Sequence, residues 1–232
     1  MLRRRFLQLP ATAFAAALPI RADSSGALSW LDFIAQAESI GQARADTGDP
    51  HVDSYLHRIA SIAVRLTEAP QTPLQPFDGL EPPARFGLSH RGGSFVIIQW
   101  QLDPGCILPA HNHPGFSVCT LCLEGEARLR NFEVEPGAPE FDSESAAPFL
   151  VRETHDERLS PGRVNLLAPA RDNIHLFEAG AAGARGIDIT TGHGGDGDFS
   201  YLRLDPTAPV DAARRLFEAR WTGRKPQNAL QQ

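Results

Sequence analysis

Two histidines one residue apart sit inside Leu108-Pro109-Ala110-His111-Asn112-His113-Pro114-Gly115-Phe116, and a third lies far downstream in Asn173-Ile174-His175-Leu176-Phe177. On an extended strand, residues i and i+2 point to the same face, so His111 and His113 look the same way. For His175 to join them, two distant strands must lie side by side, which is a severe restriction on the fold. Three neutral imidazoles on one side of a divalent transition metal leave the other side open to exchangeable ligands. The pattern predicts a metal centre on His111, His113 and His175.

The sequence around the pair is strand-like. Phe95 to Trp100 is an apolar run, Asp103-Pro104-Gly105 a turn, and Phe116 to Leu123 a second apolar run. Glu124-Gly125-Glu126 reads as a turn into the alternating Ala127-Arg128-Leu129-Arg130. The spacing of Gly105, His111, His113 and Gly125 resembles the first motif of the cupins. That motif's usual glutamate would fall near Ser117 or Val118, and neither binds metal. The three-histidine variety remains.

Leu108 to Val118 resembles the "P-x-H-x-H-P-G-M-x-V" block of the plant cysteine oxidase and 2-aminoethanethiol dioxygenase family, with Phe116 in place of methionine. Pro169 to Ala179 resembles that family's "G-N-x-H-x-F-x-A" block, with Asp172 in place of glycine, and Ile187-Asp188-Ile189 resembles its later aspartate strand. The resemblance runs from about Leu28 to Arg203. It implies a non-haem iron(II) thiol dioxygenase with His111, His113 and His175 as ligands. Asp188 would lie close to the metal cavity, and Tyr201 would match the first tyrosine of a "C-x-Y-Y" block beside it. Phe199 replaces that block's cysteine and Leu202 its second tyrosine, while Thr191-Gly192-His193-Gly194-Gly195 replaces a "P-P-Y" segment. His193 in this glycine-rich stretch is expected to touch substrate at the cavity mouth. Free cysteine, cysteamine, a mercapto acid or a peptide with N-terminal cysteine, together with dioxygen, are the substrates left open. A non-catalytic periplasmic cupin that binds metal or a small ligand, and a cupin dioxygenase of a non-thiol substrate, are the other readings.

Leu2-Arg3-Arg4-Arg5-Phe6-Leu7 reads as a twin-arginine export motif, followed by an apolar stretch from Leu9 to Ile20 that is too short to span a bilayer. Cleavage after Ala17 or Ala22 would release a periplasmic protein, with the twin-arginine translocase as its partner during export. Residues 1–22 hold four arginines and no acid, so their removal takes the net charge from −6 to −10. Such an acidic chain is a poor partner for nucleic acid or an anionic membrane surface, and no membrane span is expected in the mature chain.

The expected architecture is all-β: a double-stranded β-helix, or jelly-roll barrel, with helical N- and C-terminal flanks. Residues 1–22 form the signal peptide and 23–83 a helical flank and linker. Residues 84–206 form the barrel, and 207–232 a C-terminal helix with a mobile tail. Ser29 is a plausible N-cap for a first helix, and Val52, Leu56, Ile59, Ile62 and Leu66 make the stripe of a second. The proline-rich Ala69 to Pro83 reads as a surface linker, and Val210, Ala213, Leu216, Phe217 and Trp221 as one side of the last helix. Glu140, Asp142 and Glu144 read as a solvated face, His155 as exposed, and Arg85 and Arg91 as surface cations. Cys106, Cys119 and Cys122 are the only cysteines. Cys119 and Cys122, three apart on a strand, should point to opposite faces, and a disulfide involving Cys106 is left open.

Overall fold

The computed structural model describes residues 26–47, 52–138, 147–193 and 198–226. The twin-arginine segment, the acidic residues Glu140, Asp142 and Glu144, and Gly194 to Gly197 lie outside the described residues. The chain opens with two helices, α1 (Trp30–Thr47) and α2 (Val52–Ala63). Ser29 starts α1: its hydroxyl oxygen accepts the Asp32 N–H at 3.2 Å while its O–H donates to the Asp32 carboxylate at 2.6 Å. An otherwise orphaned N-terminal amide is thereby satisfied.

Ten strands follow: β1 (Gln75–Pro76), β2 (Ala84–Arg91), β3 (Val96–Leu102), β4 (Ile107–Asn112), β5 (Phe116–Val134), β6 (Phe149–Leu159), β7 (Val164–Leu167), β8 (Ile174–Gly192), β9 (Asp198–Leu204) and β10 (Leu216–Pro226). Their hydrogen-bonded order is β1-β2-β3-β8-β4-β9-β10-β6-β5-β7, and β5 also pairs with β8, which closes the barrel. The fold is a double-stranded β-helix. β5 and β8 are its long members, nineteen residues each, antiparallel to one another from Phe116–Gly192 to Phe132–Ile174.

Glu124-Gly125-Glu126 does not end a strand. β5 runs on through Gly125 with a register break on either side. Gly125 and Gly183 both adopt positive φ, 71° and 76°, where the two long strands bend together. A Cβ on Gly125 would lie 2.1 Å from the Gly183 carbonyl oxygen, so the bend requires glycine sterically as well as conformationally.

Strand alternation then sorts the apolar residues. On the outer face, Ile97, Cys119, Leu121, Ile187 and Ile189 meet Phe33, Ala37, Tyr55, Leu56 and Ile59 of the helices. On the inner face, Trp100, Leu108, Cys122, Leu129 and Phe177 pack together. Cys119 and Cys122 thus lie in different clusters, and Cys106, Cys119 and Cys122 are all free and buried.

The C-terminal flank differs from the helix expected over Val210 to Trp221. β10 occupies it, paired with β6 through Leu216–Ala219 and with β9 through Ala219–Pro226. Phe217 and Ala219 are buried, whereas Val210 is 58% exposed. The apolar residues of this segment follow a period of two as well as a helical stripe, and the gap between β6 and β9 selects the strand. The barrel therefore extends past residue 206, and residues 222–226, expected in a mobile tail, belong to a paired strand. The linker is also more than a surface strap. Gln75 and Pro76 pair with β2, and the Gln99 side chain donates to the Pro70 carbonyl at 2.5 Å.

Gly125→Ala is expected to destabilise the protein by about 2–4 kcal/mol, the left-handed penalty added to overpacking, read as a lower midpoint in urea denaturation.

Candidate metal centre

His111 occupies the end of β4, and His113 lies just beyond it. The chain then turns through His113-Pro114-Gly115-Phe116, where the Phe116 N–H donates to the His113 carbonyl at 3.1 Å and Gly115 has φ 73°. Proline followed by a positive-φ glycine is the chemistry of a type II turn. It reverses the chain from β4 into β5 and leaves His113 facing back to the barrel. The His113 N–H donates to the Asn173 carbonyl at 3.0 Å, tying the turn to the start of β8. Asp172 just before it has φ 54°, a conformation that aspartate tolerates better than most residues; this accounts for a glycine in the corresponding place of the motif it resembles.

The registers bring the third histidine into place. His111 is the direct cross-strand partner of His175 on β8 and, on its other side, of Tyr201 on β9. The Nε2 of His175 lies 2.9 Å from the Nε2 of His111 and 3.0 Å from that of His113. The His111 Nδ1–H donates to the Pro109 carbonyl at 2.9 Å, so its Nε2 lone pair points to the shared centre. His175 and His111 are buried and His113 is half-buried. Burial lowers the His111 pKa to about 4 against the pull of the Pro109 carbonyl, and lowers those of His113 and His175 well below the usual value, with neighbouring imidazoles adding to the effect. All three rings are neutral at pH 7 and offer lone pairs.

This donor set fits a transition metal. Imidazole nitrogens bind such ions at about 2.1 Å, and two held at right angles would stand about 3 Å apart, as the His175 pairs do. The three are the one group of metal-ligating side chains found among the described residues, and the group contains no carboxylate. Ser117, at the place of the usual cupin glutamate, points elsewhere and pairs with His193.

A cleft opens beside the histidines. Phe77, Phe86, Phe199 and Tyr201 form aromatic walls, Ile98 and Leu108 add aliphatic surface, and Asp188 and Thr190 are polar features beside His111 and His113. No lysine or arginine is among the described residues that line it. Asp188 accepts a hydrogen bond from the Thr120 hydroxyl at 2.7 Å. Burial raises its pKa to about 7 against the opposing pull of Thr120 and Trp100. The Tyr201 ring sits 5.6 Å from that of His111 and 5.5 Å from Phe199. Burial raises its pKa, so its hydroxyl is a proton donor at neutral pH.

His111, His113, His175, Asp188 and Tyr201 thus come together. His193 does not line the cleft: its Nδ1 accepts from Arg44 at 2.7 Å and its Nε2–H donates to Ser117 at 2.9 Å. That contact ties the end of β8 to α1. Arg85, a surface cation by sequence, is paired with Asp103. Phe77, Phe86 and Ile98 were not foreseen as walls. Ile98 is the cross-strand partner of Asp188 and Phe86 of Trp100, both inferable once the strands are paired. Phe77 lies in the proline-rich stretch, where no periodicity marks it.

Residues 80–191 match the profile of the family described as PCO_ADO. The matched segment contains His111, His113, His175 and Asp188 and stops short of His193 and Tyr201. Plant cysteine oxidase 1 of Arabidopsis thaliana is 30% identical over 118 residues, which cover 47% of this chain and 39% of that protein. The chain therefore spans about two fifths of the length of the curated relative it matches. Among solved structures, an uncharacterized conserved protein with a double-stranded beta-helix domain from Klebsiella pneumoniae is similar with TM-score 0.37 and 15% identity, over 55% of this chain and 89% of that one. KdgF from Halomonas sp. is similar with TM-score 0.36 and 16% identity, over 51% and 87%.

Because the folded pKa of Asp188 is raised, the metal-free folded state holds a proton that the unfolded chain releases between about pH 4 and pH 7. Its stability falls as pH rises through that window. Asp188→Asn removes this dependence. Its stability relative to the parent, from denaturation at pH 4 and pH 8, is expected to improve by up to about 4 kcal/mol across the range.

Proposed function

We propose that this protein is a non-haem iron(II) thiol dioxygenase whose substrate carries an amine near its thiol, either a small aminothiol or a peptide with N-terminal cysteine. The observation that carries the reading is the pairing of three neutral imidazoles with an aromatic cleft whose one carboxyl group among the described lining residues is Asp188. Iron(II) held by uncharged ligands would keep its full double charge, favour substrate sulfur as thiolate and supply the electrons that activate dioxygen. The similarity to the PCO_ADO family and to plant cysteine oxidase 1 supports the same chemistry.

The chain's own residues set the rest. His111, His113 and His175 hold the metal from one side. Asp188 is poised to ionise when a substrate ammonium enters, since an opposite charge stabilises the carboxylate. Phe77, Phe86 and Phe199 exclude water from the reacting sulfur and strengthen that attraction. Tyr201 lines the cleft beside His111. A substrate carboxylate would meet Asp188 with no lysine or arginine among the described lining residues to offset it, which disfavours mercapto acids. Both atoms of dioxygen end on sulfur, so thiolate and dioxygen give sulfinate without a further reductant. The Arg3-Arg4 pair and the apolar stretch behind it support export to the periplasm in the folded state.

Oxygen uptake by the iron(II)-loaded protein, with mass spectrometry of the product, is the test. Aminothiols and cysteine-starting peptides should each gain two oxygen atoms, mercapto acids should react far more slowly, and His175→Ala should abolish uptake. Asp188→Asn should raise KM for aminothiols about thirtyfold or more with iron content unchanged. Stoichiometric iron without uptake on any thiol would return the chain to a binding protein or an oxygenase of another substrate. Replacing Arg3 and Arg4 together by lysine should leave the protein in the cytoplasmic fraction of expressing cells.

A further inference from the structure

His175 poses an accounting problem. Its Nε2 faces the shared centre, so the neutral ring carries its proton on Nδ1. That Nδ1 is buried and has no hydrogen-bond partner among the described residues. A second orphan lies on the neighbouring strand: the side-chain carbonyl oxygen Oδ1 of Asn131, buried and likewise without a partner. Asn131 on β5 is the direct cross-strand partner of His175 on β8. Directly opposed residues of an antiparallel pair share a face, with Cβ atoms about 5 Å apart. A buried donor and a buried acceptor, each lacking what the other supplies, therefore face the same side at one rung of the barrel.

We propose that Asn131 is the positioning residue for the metal ligand His175, accepting its Nδ1–H when a metal is bound at Nε2. The rung continues on both sides, Tyr201–His111–His175–Asn131–His155, across β9, β4, β8, β5 and β6. Half-buried His155 stands opposite Asn131 on the other neighbouring strand. Among the described residues, His111 has its acceptor in the Pro109 carbonyl, and Asn131 gives His175 the equivalent from a side chain. Such an acceptor fixes the tautomer, holds the ring in plane with the metal bond and raises the basicity of the ligating nitrogen. The inference rests on the three histidines being a metal-ligand set, and needs no thiol or oxygen chemistry.

The test is cobalt(II) binding to the full-length protein, followed by ligand-field absorption and quantified by chelator competition. Asn131→Leu removes the acceptor at similar volume and should weaken cobalt(II) binding 10–100-fold, whereas Asn131→Asp should recover most of it. Unchanged affinity in Asn131→Leu, with the unsubstituted protein binding normally, overturns the proposal. A protein that binds no cobalt(II) before substitution overturns the metal centre and this inference with it. Should Asn131→Leu fail to fold, the unsubstituted zinc(II)-loaded protein decides by nitrogen-15 NMR. A His175 Nδ1–H protected from exchange, with a cross-peak to the Asn131 side chain, supports the proposal, and its absence overturns it.

Discussion

The centre of this molecule depends on the register of one strand. β8 is bonded along one edge to β3 and β4 and along the other to β5, and those three registers put His175 opposite His111 and Asn131, and Asp188 opposite Ile98 and Thr120. A slip of one residue would turn every one of these side chains to the other face. Packing on both faces resists that slip. Ile187 and Ile189 are buried under the helices, and Phe177 meets Trp100 edge to face at 5.5 Å inside the barrel. Each such side chain contributes about 1.5–3 kcal/mol when buried, so a slipped strand would forfeit several contributions together. The helices, remote from the histidines, thereby hold the geometry of the site.

The second constraint is charge. Burying ions is costly unless they are paired, and the barrel separates its paired charges from its reactive cleft. Arg130 is buried with Glu153, Arg215 reaches the same carboxylate at 2.8 Å, and Arg130 lies over the rings of Phe132 and Phe217. The cleft instead holds groups that burial keeps neutral or on the edge of ionisation. Charge arrives there with what binds, and the low dielectric then makes each incoming charge count for more.

The ligand histidines were legible because their chemistry survives in spacing: i and i+2 on an apolar strand, with a third in a strand whose neighbours alternate. Asp188 was legible only through the resemblance of Ile187-Asp188-Ile189 to a family's aspartate strand. β10 was not, because Leu216, Phe217, Ala219 and Trp221 satisfy two periodicities, and the deciding factor is the open edge between β6 and β9. Phe77 escaped notice because its segment has no period at all; its place comes from the N–H bond to the Ala84 carbonyl at 2.8 Å, which carries it to the barrel mouth. Asn131 is marked by no motif or spacing in the sequence. Only the pairing of β5 with β8 shows that its face is the dry one.

The three cysteines have a consequence for the protein's own endurance. Sulfur is vulnerable to oxidants and to metals as thiolate, not as thiol. Cys119, under the helices, and Cys122 and Cys106, in the barrel interior, all have raised pKa values because burial penalises their charged forms, that of Cys122 reaching about 11. Each stays protonated and shielded at neutral pH. Under the proposed function, a barrel that brought substrate sulfur and dioxygen to one metal would keep its own sulfur chemically silent, through the same packing that holds the strands in register.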